Sequence, residues 1–237
     1  MAVILNIETS GAVCSVAVTK DGAVEFQLEN TDGMKHAEML APFVERCMEE
    51  IHRKGDRLDA VAVSIGPGSY TGLRIGLSLA KGLAFSRNVP LIGVPTLKIL
   101  AVKAMFRNIN WQGDEILLPM LDARRMEVYA AAYDFSLNAL DGPRAVVVDS
   151  DSWKDLFESK QVWLMGDGSE KLKETIQSPN AHWIDGLRPY ARDMLALSEK
   201  AFREKDFLNL AYSVPQYLKE YQATVAVNKV IAGVNAK

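Results

Sequence analysis

The first thirty residues show the pattern of consecutive strands joined by tight turns. Residues 3–7 and 13–18 are short apolar runs, and the Asp21-Gly22 pair that follows is typical of hairpin turns. Apolar and polar residues then alternate over 24–29, which is the period of a strand with one solvated face. The pattern predicts three strands in succession.

The apolar period then changes from two residues to that of a helix. Residues 36–53 carry apolar side chains at helical spacing, which predicts an amphipathic helix. Residues 59–65 are almost continuously apolar, as in a strand buried on both faces. After a glycine-rich turn, the sequence predicts a helix over 71–85, a strand over 91–94 and a helix over 96–106.

The second half of the chain repeats this order of elements. We predict strands over 116–121, 127–133 and 144–148, a helix over 152–159, a strand over 162–165, and helices over 169–177 and 192–204. The order β-β-β-α-β-α therefore occurs twice, with a break where Asn, Gly and Asp cluster in 108–114. Two lobes of one topology are typical of the actin-like ATPase fold; a single mixed α/β sheet is the alternative.

We place the two lobes at residues 1–107 and 108–237, and expect the last ~20 residues to pack back on the first lobe. A chain of 237 residues, 49% of them hydrophobic, is long enough to bury the cores of two such lobes.

Charge and cysteine usage narrow the classes of function. The net charge is −3, which argues against a protein that grips nucleic acid unaided, because such binding depends on basic surface. We expect no signal peptide, because the first residues lack the basic start of one. No apolar run reaches the length of a membrane-spanning helix. Cys14 and Cys47 lie in apolar segments, and we expect both to be buried and reduced. These features predict a cytoplasmic protein.

The segment after the predicted strand 59–65 is rich in glycine. Gly66, Gly68 and Gly72 stand between a strand and a helix, where backbone N–H groups can collect an anion. The specific nucleotide motifs fail, however: Leu73 stands where a P-loop has Lys, and Thr71 where a dinucleotide loop has its third glycine. A phosphate loop and a purely structural turn are both compatible with this segment.

The helix behind this loop carries a row of small residues. Gly72, Gly76, Ala80 and Ala84 lie four residues apart, and Gly inside a helix costs ~1 kcal/mol relative to Ala. The row therefore indicates a close-packing requirement. Either a helix of another molecule or the protein's own sheet satisfies that requirement.

Catalytic and metal-binding constellations are absent from the sequence. No Ser-His-Asp motif, Cys-x-x-Cys pair or H-E-x-x-H motif occurs. We interpret His36 as a surface or capping residue, and the Arg124-Arg125 pair beside Asp122 and Glu127 as a local charge network. We therefore predict no catalytic residue and no metal ligand.

Several motifs resemble those of one family, the TsaB (YeaZ) family of tRNA threonylcarbamoyladenosine biosynthesis. The most specific is the segment GPGSYTGLRIG at 66–76, supported by ILNIETS at 4–10 and CSVAV at 14–18. Weaker matches follow in order, at 93–97, 121–129, 166–168 and 215–219. The resemblance runs almost from end to end.

This resemblance implies an actin-like (ASKHA, ribonuclease H-like) fold and a role beside the catalytic subunit TsaD. TsaD transfers threonylcarbamoyl from threonylcarbamoyl-AMP to N6 of adenosine 37 in tRNAs that read codons beginning with A. TsaE is the third partner, and TsaC makes the activated intermediate. Family members pair with TsaD through helices of the first lobe and form homodimers through the same surface. They contact tRNA only within the complex.

The resemblance also assigns roles to residues of this chain. It implies a partner interface on the first-lobe helices, which we assign to Met39, Phe43, Gly72, Gly76 and Ala80. Vestigial phosphate loops are expected at Glu8, Thr9, Ser10, Gly66, Gly68 and Ser69. No cofactor of its own is expected, although a nucleotide at the interface with TsaD is compatible with the family.

Departures from the catalytic relatives favour a non-catalytic subunit. TsaD-type proteins bind metal through H-x-x-x-H, whereas Leu40 follows His36 at the fourth position here. ATPases of this fold favour Asp-Gly-Thr in the first turn, and this chain has Glu8-Thr9-Ser10. Lys219 replaces a more usual Arg. An independent actin-like ATPase or phosphotransferase is the main alternative, and a metallopeptidase is a third.

Overall fold

The protein contains two five-stranded sheets. The computed structural model describes residues 2–33, 35–107 and 109–219. The strands of the first sheet are β1 (Val3–Glu8), β2 (Cys14–Lys20), β3 (Ala23–Asn30), β4 (Ala60–Gly66) and β5 (Leu91–Pro95). The strands of the second are β6 (Ile116–Asp122), β7 (Glu127–Tyr133), β8 (Ala139–Val147), β9 (Val162–Met165) and β10 (Ala181–Ile184).

The two sheets share one topology. The first has the order β3-β2-β1-β4-β5, and the second β8-β7-β6-β9-β10. In each sheet the first three strands are antiparallel neighbours, and the last two join them in parallel. This repeat confirms the predicted actin-like, ribonuclease H-like fold and excludes the single mixed sheet.

Within the part of the chain that the structure describes, five α-helices accompany the sheets: α1 (His36–Arg53), α2 (Tyr70–Arg87), α3 (Thr96–Met105), α4 (Lys154–Ser159) and α5 (Leu195–Glu204). Helices α1 and α2 cover one face of the first sheet, and α3 and α5 cover the other. Because both faces are covered, every residue of β1 is buried, and its apolar run is continuous rather than alternating. Helix α3 also packs on the second sheet and so lies between the lobes.

The second lobe departs from the sequence prediction in three places. The predicted helix 169–177 is a short 3-10 turn, Glu170–Leu172, and β10 was not predicted at all. Strand β8 begins at Ala139, five residues before the predicted start. It contains Gly142 and Pro143, and because β8 is an edge strand the missing N–H of the proline is tolerated there.

The chain returns to the first lobe before its end. The 3-10 turn Ala191–Met194 and helix α5 pack on the first sheet. Residues 206–219, which we call the C-terminal strap, then follow the sheet edge. The Leu208 amide donates to the Leu91 carbonyl over 2.8 Å, and Lys81 Nζ donates to the Ala211 carbonyl over 3.0 Å.

The return therefore begins earlier than the last ~20 residues to which we assigned it, and residues 220–237 lie outside the described residues. A single lobe boundary at residue 108 separates the segments that form the two sheets. It does not account for the later segment that returns to the first lobe.

Both cysteines are buried and free, as predicted. Burial raises the pKa of the Cys14 thiol to about 11 and that of the Cys47 thiol to about 12, so neither carries much thiolate at neutral pH. Within the described residues, no helix combines the length and apolarity needed to cross a membrane.

Candidate functional site

The six predicted phosphate-loop residues meet at one edge of the first sheet. Strands β1 and β4 run parallel, with Ile7 opposite Val63, so the segments that follow them emerge side by side. Residues 9–13 form the β1–β2 turn, and residues 67–69 form the β4–α2 loop. The set gathered here is Glu8, Thr9, Ser10, Gly66, Gly68 and Ser69.

Hydrogen bonds join the turn to the loop directly. The Ser69 amide donates to the Ser10 carbonyl over 2.7 Å, and the Thr9 amide donates to Ser64 Oγ over 3.3 Å. Ser69 Oγ caps α2 by accepting from the Gly72 amide at 3.2 Å. In a phosphate site such amides point at the anion. Here the amides of Thr9, Ser69 and Gly72 are used within the chain.

The glycines of this region permit the close approach. A Cβ on Gly68 would come within 3.0 Å of the Ser10 carbonyl oxygen, and a Cβ on Gly72 would come equally close to the Thr9 carbonyl oxygen. A Cβ on Gly76 would meet Thr9 Oγ1 within the same limit. Real Cβ atoms essentially never come so close. The small-residue row of α2 is therefore the groove that receives the β1–β2 turn.

This placement corrects the predicted partner interface. Gly72, Gly76 and Ala80 are buried within the protein, so they are not available to another molecule, and the prediction that they form an intermolecular contact face is wrong. The small residues instead pack against the protein's own sheet, which is the second alternative that the sequence left open. Met39 and Phe43 are partly buried against the same core.

His36 lies beside the β1–β2 turn and is not a surface residue, one of the two roles (surface or capping) that we predicted for it. It is 3% exposed, it lies near the backbone of Thr9, Gly11 and Val13, and its Nε2 atom has no hydrogen-bond partner among the described residues. Burial lowers its pKa, an effect that this backbone opposes. Within the described part of the chain, no group of His, Cys, Asp and Glu could hold a metal ion.

Glu8 is the buried acid at the base of the site. Its side chain is fully buried, and Oε1 accepts from the Ser10 amide at 2.6 Å and the Ser10 hydroxyl at 2.5 Å. Oε2 has no hydrogen-bond partner among the described residues. Burial raises the pKa of Glu8 to about 7, although the two Ser10 bonds oppose this shift.

The C-terminal strap covers the other side of the β4–α2 loop. The Gln216 amide donates to the Ile65 carbonyl over 2.7 Å, and the Gln216 carbonyl oxygen lies 2.9 Å from the position of a Cβ on Gly66. Lys219 then forms an ion pair with Glu127 of the second lobe. Sequence analysis missed Gln216 as part of this site, although the family match at 215–219 includes it.

In the second lobe, glycines permit the same close approach at the corresponding edge of the sheet. After β9, a Cβ on Gly166 would come within 3.0 Å of the Met120 carbonyl oxygen, and one on Gly168 would do the same at Leu121. The Asp122 amide donates to Asp167 Oδ1 over 3.0 Å. In both lobes, glycines let a loop lie directly on a neighbouring strand end.

The groove on α2 generates a prediction about stability. Gly76→Leu should destabilise the isolated protein by at least ~1–3 kcal/mol, because the leucine must displace Thr9. At this chain length each ~1 kcal/mol lowers the melting temperature by roughly 2–4 °C. The matched control is Gly82→Leu in the same helix, since nothing lies within 4 Å of a Cβ there. If the melting temperature of Gly76→Leu equals that of the wild type, the groove on α2 does not receive the β1–β2 turn as described.

The environment of Glu8 generates a second prediction. Its pKa rises from an ordinary value of 4.5 to about 7 on folding, so between these pH values the folded state keeps a proton that the unfolded state has lost. The free energy of unfolding should therefore fall as pH rises across this window, by up to about 3 kcal/mol. Glu8→Gln should remove this dependence, as measured by urea unfolding at pH 5 and pH 8. If the free energy of unfolding differs between pH 5 and pH 8 by as much in Glu8→Gln as in the wild type, folding does not raise the pKa of Glu8.

Comparison with known proteins identifies the family. The family model described as "TsaD: tRNA N6-adenosine threonylcarbamoyltransferase" matches residues 32–227. The tRNA threonylcarbamoyladenosine biosynthesis protein TsaB of Escherichia coli is 31% identical over 222 residues, which cover 91% of this chain and 94% of that protein. The Bacillus subtilis TsaB is 28% identical over 232 residues, with 93% and 95% covered.

A solved structure agrees with these sequence matches. YeaZ from Pseudomonas aeruginosa superposes with a TM-score of 0.76 at 27% identity, covering 92% of this chain and 100% of that one. Fold, loop residues and sequence similarity thus agree over nearly the whole length. The chain belongs to the TsaB (YeaZ) family of tRNA threonylcarbamoyladenosine biosynthesis proteins.

Proposed function

We propose that this protein is a non-catalytic subunit that pairs with a TsaD-type enzyme and supports its transfer of threonylcarbamoyl to tRNA. The donor is threonylcarbamoyl-AMP and the acceptor is N6 of adenosine 37. In this proposal the chain acts in the cytoplasm, forms homodimers when alone, joins TsaE in the larger complex and has no cofactor of its own.

The interlocked β1–β2 turn and β4–α2 loop carry the proposal. An actin-like ATPase needs these two segments apart, with their amides free for phosphate. Here the Ser69 amide is bonded to the Ser10 carbonyl, and Thr9 occupies the space beside Gly72 and Gly76 of α2. The second candidate, an independent ATPase or phosphotransferase, requires the two segments to separate and Gln216 to leave Gly66.

The outward sides of α1 and α2 supply a surface for pairing. Glu38, Glu45 and Glu49 are exposed on α1, where Glu49 is paired with the exposed Arg46. In contrast, α2 contains no acidic residue and exposes Arg74 and Arg87. Adjacent helices of opposite charge steer a partner with the complementary arrangement into one orientation. A second copy of this chain presents the same two helices, which agrees with self-association through this surface.

The apolar part of this surface replaces the face that the sequence analysis assigned. Phe85 of α2 is 78% exposed. Ser78 and Gly82 are exposed on the same side of α2, seven and three residues before it. Together with the partly buried Met39 and Phe43 of α1, these residues form the proposed pairing face. A nucleotide at the interface with TsaD would lie outside the closed loops.

The test is pairing by a variant that keeps the monomer intact. Gly82→Leu should leave the melting temperature unchanged or slightly raised, because the site is open and leucine favours helix by up to ~1 kcal/mol. It should weaken association with the TsaD-type partner by roughly tenfold to a hundredfold, through overpacking that costs ~1–3 kcal/mol.

Affinity is measured by titrating the labelled partner, and transfer is measured with tRNA and threonylcarbamoyl-AMP. Lys98→Ala on α3, which packs between the lobes, is the control for a substitution away from the pairing face. If Gly82→Leu binds the partner as tightly as the wild type does, α2 is not part of the interface. A wild-type protein that neither pairs nor supports transfer would end the proposal as a whole.

A further inference from the structure

The C-terminal strap is anchored in the core at its start and lies on the surface for the rest of its length. Leu208 and Leu210 pack against the core of the first sheet. Over the residues that follow, 211–219, Pro215 is the one buried residue, and Tyr212 is 84% exposed. We call residues 211–219 the outer strap. It buries little apolar surface of its own.

Hydrogen bonds near the surface hold the outer strap to the first lobe. Lys81 Nζ of α2 donates to two strap carbonyls, that of Ala211 over 3.0 Å and that of Ser213 over 3.1 Å. The Gln216 amide donates to the Ile65 carbonyl over 2.7 Å, and Gln216 is itself exposed. Because water can replace such bonds, each contributes only modestly to the stability of the attachment.

The outer strap covers the β4–α2 loop and the beginning of α2. The Gln216 carbonyl oxygen lies 2.9 Å from the position of a Cβ on Gly66, and the Gln216 Cβ atom lies 3.7 Å from the same position. The Tyr217 ring packs on the ring of Tyr70, the first residue of α2, with the ring centroids 4.9 Å apart. Movement of the outer strap away from α2 would therefore expose this end of the first sheet.

The end of the outer strap is tied to the second lobe by charge. Lys219 forms an ion pair with Glu127 at the start of β7, and their side chains are 35% and 19% exposed. Asp122, the other acid of this hairpin, forms its ion pair with Lys171. The charge network that we predicted between these two acids and the Arg124-Arg125 pair is therefore wrong. Glu127 instead joins the second lobe to a segment that covers the first.

We infer that the outer strap is a latch, which the Lys219–Glu127 pair holds closed over the β4–α2 loop. When the pair is broken, the outer strap swings away from the anchored residues Leu208 and Leu210 while the rest of the fold stays intact. Segments that bury few apolar contacts and expose their hydrogen bonds open locally in this way. Salt screens pairs of partly exposed charges, so the latch responds to ionic strength. The inference concerns the chain alone and does not rest on the proposed function.

The test is hydrogen exchange of single amides in the full chain. The Gln216 amide reports on the outer strap, and the Leu208 amide, which donates to the Leu91 carbonyl, reports on the anchored part. Glu127→Gln removes the charge from the second lobe, and Lys219→Gln removes it from the strap. The matched control is Asp185→Asn, which removes one negative charge from an exposed ion pair with Lys173 elsewhere in the second lobe.

Glu127→Gln and Lys219→Gln should each speed exchange of the Gln216 amide roughly twofold to fivefold, the factor by which a partly exposed ion pair holds its partners. Exchange of the Leu208 amide should keep its wild-type rate, and so should both amides in Asp185→Asn. Raising the salt concentration from about 0.1 M to about 1 M should bring the wild-type Gln216 rate to that of the variants and leave the variants nearly unchanged.

Three other results would overturn the latch. If the Gln216 amide exchanges at the wild-type rate in Glu127→Gln and Lys219→Gln, the ion pair does not hold the strap. If the Leu208 amide speeds up as much as the Gln216 amide, the strap has no anchored part about which it opens. If Asp185→Asn has the same effect, the change reflects the overall charge of the protein rather than this ion pair.

Discussion

The contact between the β1–β2 turn and the groove of α2 sets the arrangement of the first lobe. The turn lies so close to the helix that side chains larger than hydrogen are excluded at Gly72 and Gly76, and His36 closes it from the side of α1. Strand β1 is central in its sheet, so fixing the turn at its end also fixes how both outer helices lie on that sheet. The pairing face that we propose on α1 and α2 would therefore depend on a contact made inside the monomer.

The same contact uses backbone amides that a phosphate site would leave free. At a phosphate site, the N–H groups at a helix N-terminus point at the anion. Here backbone carbonyls take the place of the anion, and the strap covers Gly66 from the remaining side. Glu8 stays at the position where catalytic relatives carry Asp, but it is buried with a raised pKa and bonded to Ser10.

The order and type of most elements could be predicted from the sequence, because the apolar period is clear wherever a strand is central or a helix is amphipathic. Strand β10 was missed because it has four residues, and only Ile184 among them is fully buried. The predicted helix 169–177 shortened to the 3-10 turn Glu170–Leu172. The helical period of the sequence there is real, but it does not specify whether the hydrogen bonds span three or four residues.

The candidate site was predicted in its residues but not in its contacts. Gly72 and Gly76 signal that something approaches α2 closely, and only the three-dimensional structure shows that Thr9 is what does so. The spacing of the small residues in the sequence is the same whether they pack inside the protein or against another molecule. The partners of Asp122 and Glu127 could not be predicted either, because Lys171 and Lys219 are 49 and 92 residues away in the chain.

We propose that the closed site has no catalytic part in threonylcarbamoyl transfer. This is tested by the initial rate of transfer by the reconstituted complex at pH 8, with Glu8→Gln in place of the wild-type chain and pairing verified. We expect a rate within about twofold of wild type, since a buried glutamate that only supports the turn is well replaced by glutamine. A loss of about a hundredfold or more, the range that general acid–base groups contribute, would contradict it.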